Sequence, residues 1–168
     1  MHSHGQFIQK VLIGAVDNNY SRYVMNEYFN QVDDLIYIDA GIEGVYLPDD
    51  GRKAEETWTK QEREDHIESG YSGQVVLGLK KEGRIILEPV NGIYPIDPTD
   101  AIPPSHNCGS EPYQPQRMIA NEFAALQICT MMNELFASGS IISHYINFNA
   151  RNGNSRAEEA EALGEMES

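Results

Sequence analysis

Cysteine is scarce in this sequence. The 168 residues hold only Cys108 and Cys129, which excludes a disulfide-built scaffold and leaves no paired CxxC for a structural zinc. Cations are also few: 12 Lys and Arg stand against 26 Asp and Glu, a formal charge of −14. Such a balance repels phosphate backbones and anionic lipid, so no nucleic-acid or membrane-surface role is expected. No apolar run approaches the roughly 20 residues that span a bilayer, and no basic-then-apolar leader opens the chain. No internal repeat is visible. Together with the cysteine count, these absences point to the cytoplasm.

What is present suffices for one core. With 40% hydrophobic residues, a chain of this length buries roughly 70% of its unfolded surface, and one domain is expected. Residues 1–6 are polar and read as a frayed terminus or a tag remnant; His2 and His4 on such an end do not make a metal site. Residues 7–16 pass from mixed to almost wholly apolar, as a strand buried on both faces does. Asp17 and Asn18 can cap the following segment, where Tyr20, Tyr23, Val24, Tyr28 and Phe29 recur at helical spacing over 19–30. The run 35–41 is again strand-like and stops at Gly41. Strand, helix and strand in close succession make a βαβ unit and hence a parallel sheet.

The middle of the chain changes character. Residues 48–72 are charged with little apolar periodicity and read as a solvated insertion. The runs 74–79 and 83–90 flank a short loop and read as an antiparallel pair. Seven of the eight prolines fall within 89–115, which reads as a long loop. From about Gln116 to Ala137 a long helix follows, apolar over a wide arc, with its methionines as core filler and Gly139 as its stop. Cys129, among Leu126, Met131 and Met132, reads as core. Residues 141–148 form a last strand, and 150–168 read as an acidic tail, disordered or a loose helix.

The strongest chemical signal is positional. Ligands of open α/β sheets bind beyond the carboxyl ends of strands, and Asp17 stands at such an end. An aspartate there can hold Mg²⁺ on a nucleotide, since hard oxygen ligands suit magnesium; equally, it can serve as a helix N-cap.

The stretch Val16-Asp17-Asn18-Asn19-Tyr20-Ser21-Arg22-Tyr23-Val24-Met25-Asn26 resembles the D-N-x-x-x-R-x-x-x-N segment of the ThiF/MoeB/HesA superfamily, the ubiquitin-activating-enzyme-like adenylating domains. Leu35 to Gly41 resembles that family's next strand. Gly73-Gln74-Val75 resembles its G-Q-V/I strand, and Ile119-Ala120-Asn121-Glu122-Phe123-Ala124-Ala125 its closing helix. The resemblance spans most of residues 11 to 148 in the right order. It implies a partial Rossmann-like domain over 7–149: a parallel-sheet core with an antiparallel extension and a long C-terminal helix. It also implies an activity, adenylation of the C-terminus of a ubiquitin-like or sulfur-carrier protein with ATP and Mg²⁺, and places Asp17 beside phosphates and metal. Arg22 is expected in a salt bridge or in stem packing, and Asn26 tying down backbone. Some members carry a thioester-forming cysteine in a loop ahead of the closing helix. Cys108 holds a similar position, with His106 near it; the plain alternative is an incidental loop thiol.

One departure from the family matters most. The superfamily's glycine-rich phosphate turn, G-x-G-G-x-G, is missing from the chain, so the resemblance is to the C-terminal half only. ATP and Mg²⁺ are therefore expected only if an N-terminal half-domain is supplied by another polypeptide, none for the isolated chain, and no zinc. The rival expectation is a non-catalytic partner or assembly subunit, a homodimer or a degenerate remnant of such a system. A dinucleotide oxidoreductase fragment would share the βαβ unit but lacks its fingerprint.

Overall fold

The computed structural model describes residues 10–48, 50, 55–96 and 115–160. Six strands form one sheet: β1 (Val11–Gly14), β2 (Leu35–Ile42), β3 (Ser72–Lys81), β4 (Arg84–Leu87), β5 (Ser143–Asn149) and β6 (Asn154–Glu159). Their order is β1-β2-β3-β5-β6, with β4 pairing alongside β3. Helix α1 (Asn19–Gln31) links β1 to β2, which run parallel, with Ile13 opposite Ile38 and Gly14 opposite Asp39. The βαβ expectation holds for this unit.

The parallel core stops there. β2 pairs β3 antiparallel, as β3 does β4 and β5, and β5 does β6. The sheet is mixed and mostly antiparallel, not a parallel Rossmann-like core. The physical reason lies in the excursion between β2 and β3. A parallel partner needs a crossover to the opposite end of the sheet, whereas this excursion leaves and re-enters at the same end, with Glu43 N–H on the Ser72 carbonyl at 2.9 Å. Helix α2 (Lys60–Glu68) lies within it. A capping box between Thr59 and Glu62 starts α2, and none of its residues is buried, as its charge predicts. Trp58, just before it, is buried with its ring edge-on to His66.

Alternation along β2 feeds two cores. Ile36, Ile38 and Ala40 face one side with Val75, Leu77, Ile146 and Phe148, under α4 (Met118–Ser138). Leu35 and Tyr37 face the other with Phe29 of α1 and Val90 of α3 (Val90–Ile93). Helices on both faces make β2 almost wholly buried, and each large apolar side chain so enclosed is worth about 1.5–3 kcal/mol. Lys80 of β3 is buried too. It donates to the Asn30 carbonyl at 2.7 Å, supplying a cation to the carboxyl end of α1, whose last turn has none.

Three further expectations need correction. β1 is an edge strand, and Ile13 is 44% exposed, because no described strand lies on its far side. Residues 154–159 of the expected tail are strand β6; an edge strand buries little, so a charged sequence such as Asn-Ser-Arg-Ala-Glu-Glu is compatible with it. Cys129 is exposed, because α4 is apolar around most of its circumference and its sheet-facing positions are Ala120, Ala124 and Met131. Gly139 ends α4 as expected, at φ +68°. No helix among the described residues is long and apolar enough to cross a membrane.

Candidate functional site

The carboxyl ends of β1 and β2 meet the amino end of α4 at a cleft of about 260 Å³, lined by Ala15, Val16, Asp17, Ala40 and Ile42 below and by Asn121, Ala124 and Ala125 of α4 above. Asp17 is exposed there and accepts a hydrogen bond from the Asn18 amide at 3.1 Å. The helix cap falls to Asn18, whose side chain accepts from Ser21 N–H at 2.8 Å. Of the two roles open to Asp17 in the sequence, the cap is thus taken by its neighbour.

Arg22 lies one turn into α1 and reaches back to the strands. Its Nε donates to Asp39 Oδ1 at 2.7 Å, and Nη2 donates to the Val16 and Ala40 carbonyls at 3.0 and 2.9 Å. Nη1 donates to Asn19 Oδ1 at 3.3 Å. The guanidinium is thereby committed to the protein, as the salt-bridge expectation for Arg22 required. It ties the end of β1 to the end of β2.

Asp39 completes this arrangement. The residue is fully buried, with Oδ2 accepting from the Tyr37 hydroxyl at 2.9 Å. Gly14, its partner across the parallel pair, leaves the space: a Cβ there would overlap the Asp39 carboxylate and crowd Met25 Sδ. Burial pushes the Asp39 carboxyl above its ordinary pKa, against the pull of the Arg22 charge and the hydrogen bonds from Arg22 and Tyr37. Burial, and then the charge of Asp39, push the Tyr37 phenol upward as well, so it stays a neutral donor. Sequence reasoning passed over Asp39. The signal was available: a single acid inside the apolar run 35–41 must find a cation or stay protonated, and Arg22 is the cation.

The remaining candidates divide. Gly73 belongs to packing, since a Cβ there would strike the Phe148 ring. Asn26 does not tie down backbone through its carbonyl, because its buried Oδ1 meets no hydrogen-bond partner. Cys108 and His106 lie outside the described residues. Among the described residues, no group of three or more His, Cys, Asp or Glu could hold a metal ion.

ATP with magnesium does not fit the cleft as these residues leave it. Among the described residues, Asp17 is its one charged lining side chain and no lysine or arginine lines it, and the nearby Arg22 is spent on Asp39 and two carbonyls. A polyphosphate would meet net repulsion. No protein-family model matches the chain, and no curated protein matches it.

Proposed function

We propose that this chain is the C-terminal half of a ThiF-type adenylating domain, whose completed form activates the C-terminus of a ubiquitin-like or sulfur-carrier protein. The observation that carries the reading is the placement of Asp17. It is an exposed acid at the carboxyl end of a parallel strand whose other side has no described partner, beside a cleft that has, among the described residues, no cation for a nucleotide. Half of a site at the open edge of a sheet is what a missing phosphate-binding half would complete. In this reading the chain's own contribution is positional. Arg22 and Asp39 fix the turn after β1 and so fix where Asp17 stands, and the nucleotide contacts come from the other polypeptide.

Labelled-pyrophosphate exchange into ATP tests this. The isolated chain is expected to give no exchange. Mixed with a glycine-rich amino-terminal half-domain of a ThiF-type enzyme and a carrier protein, it is expected to give exchange that Asp17→Asn removes and Arg22→Lys only weakens. Exchange by the chain alone, or a mixture that neither associates nor reacts, refutes the reading. Association without exchange favours the second reading, a non-catalytic assembly subunit, for which the exposed β1 edge and the commitment of Arg22 to the protein already speak.

A further inference from the structure

Helix α4 has only two charged residues, Glu122 and Glu134, in 21, within a chain of net charge −14. Its sheet-facing side carries Ala120, Ala124 and Met131. At 100° per residue the opposite side carries Ile119, Glu122, Leu126, Cys129, Asn133 and Phe136, spaced alternately by three and four residues. That is the a/d spacing of a helix seam. All six are exposed, Leu126 by 58% and Phe136 by 73%. A lone scattered apolar residue needs no partner, but a continuous seam on the outer face of a helix does.

We propose that this face is the interface of a homodimer, in which α4 packs antiparallel against α4 of a second copy. The seam is complementary to itself in one register. Turned about a two-fold axis between positions 127 and 128, Ile119 meets Phe136, Leu126 meets Cys129 and Glu122 meets Asn133. Apolar meets apolar, and the one acid of the seam faces an amide that donates to it. A parallel, in-register pair would instead set Glu122 against Glu122, so charge selects the antiparallel arrangement. A two-fold contact of this kind is isologous and closes on itself. The rest of the acidic surface repels a second copy, whereas this face is nearly neutral. One helix from each copy lies at the small end of specific interfaces, below about 1,200 Å² in total, the class of weak and transient contacts, so the dimer dissociates on dilution. The proposal does not depend on the adenylating-domain reading, because it uses only α4.

Sedimentation velocity over a concentration series tests it, with Cys108→Ser as background so that Cys129 is the one thiol. The parent is expected to dimerise with concentration. Phe136→Glu and Leu126→Glu, which place charge at exposed positions and leave the monomer core untouched, are expected to raise the dissociation constant at least about tenfold with unchanged circular dichroism. Register is read by oxidation with copper-phenanthroline, which takes two electrons from a thiol pair to form each disulfide. Leu126→Cys is expected to give a covalent dimer through Cys129 of the other copy, and Phe136→Cys is not. A monomer at all concentrations, a dimer insensitive to both glutamate variants, or crosslinking of the parent through Cys129 as readily as of Leu126→Cys would overturn the proposal.

Discussion

Removing the Arg22 guanidinium while keeping its stem, as Arg22→Met does, isolates the clamp between β1, β2 and α1. Asp39 is fully buried and the Arg22 side chain only 14% exposed, so the pair belongs to the interior class. Breaking such a pair from one side leaves an uncompensated charge and costs about 3–5 kcal/mol. The Val16 and Ala40 carbonyls lose their donor as well, at about 1 kcal/mol each where water does not replace it. Against a total of about 5–15 kcal/mol for a domain, the variant is expected to fold but with a small margin. The deficit depends on pH. Burial already holds the folded Asp39 carboxyl above its unfolded value, so over that interval the folded state keeps a proton that the unfolded chain has lost. The stability this gives is fully present below the unfolded pKa and is lost as pH rises through the folded one. Without Arg22 the folded value climbs further. The variant therefore loses stability over a pH range where the parent does not, and its deficit is larger at pH 8 than at pH 5. Urea unfolding with linear extrapolation at both pH values measures this. Adding Asp39→Asn to Arg22→Met removes the charge, and the double variant is expected to recover about 2 kcal/mol at pH 8 and to flatten the pH dependence. A cost below about 1 kcal/mol, or the same cost at both pH values, would refute the account of a clamp around a buried charge.

Other expected outcomes follow from single contacts. Gly14→Ala forces a methyl group against a carboxylate held from two sides, and chemical denaturation should show a loss of about 1–3 kcal/mol. Lys80→Met strips a charged donor from the carboxyl end of α1 and should cost about 1.5–3 kcal/mol, with faster amide exchange in that helix's last turn. Native Cys129 should react with a maleimide within minutes in dilute solution; protection until denaturant is added would contradict its exposure.

Much of the fold is legible because periodicity and punctuation agree. The tyrosine-rich amphipathic stretch gives α1, the apolar run before Gly41 gives β2, and Gly139 gives the end of α4. Strand direction beyond β2 is less legible, since it depends on which end of the sheet the charged excursion returns to, and that is settled by contacts such as Glu43 with Ser72. Burial was misjudged at Ile13 and Cys129 for one reason: apolar character records what a position tolerates, and an edge strand or an all-round apolar helix has more such positions than core to fill. β6 was hidden by the converse, a strand made of residues that need no burial. At the site, Asp17 is legible from its place after a strand, whereas Arg22 stands out only through the family resemblance of the segment 16–26. Asp39 is legible as a lone acid inside the apolar run 35–41, but its cation comes from the preceding helix, so the pair itself exists only in the fold.

The two ends of the sheet are not equivalent, and this bears on how far association can run. β6 presents exposed Arg156 and Glu159 and a half-buried Glu158, with Arg156 and Glu158 paired at 3.2 Å, and charge of this kind blocks edge-to-edge growth. β1 presents Val11, Leu12 and Ile13, and no charged residue lies within it, the exposed Lys10 standing just before it. Any strand added to the sheet meets less charge at β1 than at β6. If copies joined through α4 also met through their β1 edges, each would make two different two-fold contacts, and a series of copies alternating between them stays open unless its geometry closes it into a ring. A strand from another polypeptide laid along β1 ends that series at a pair. A partner strand on those four residues would therefore act as a chain terminator for any such series.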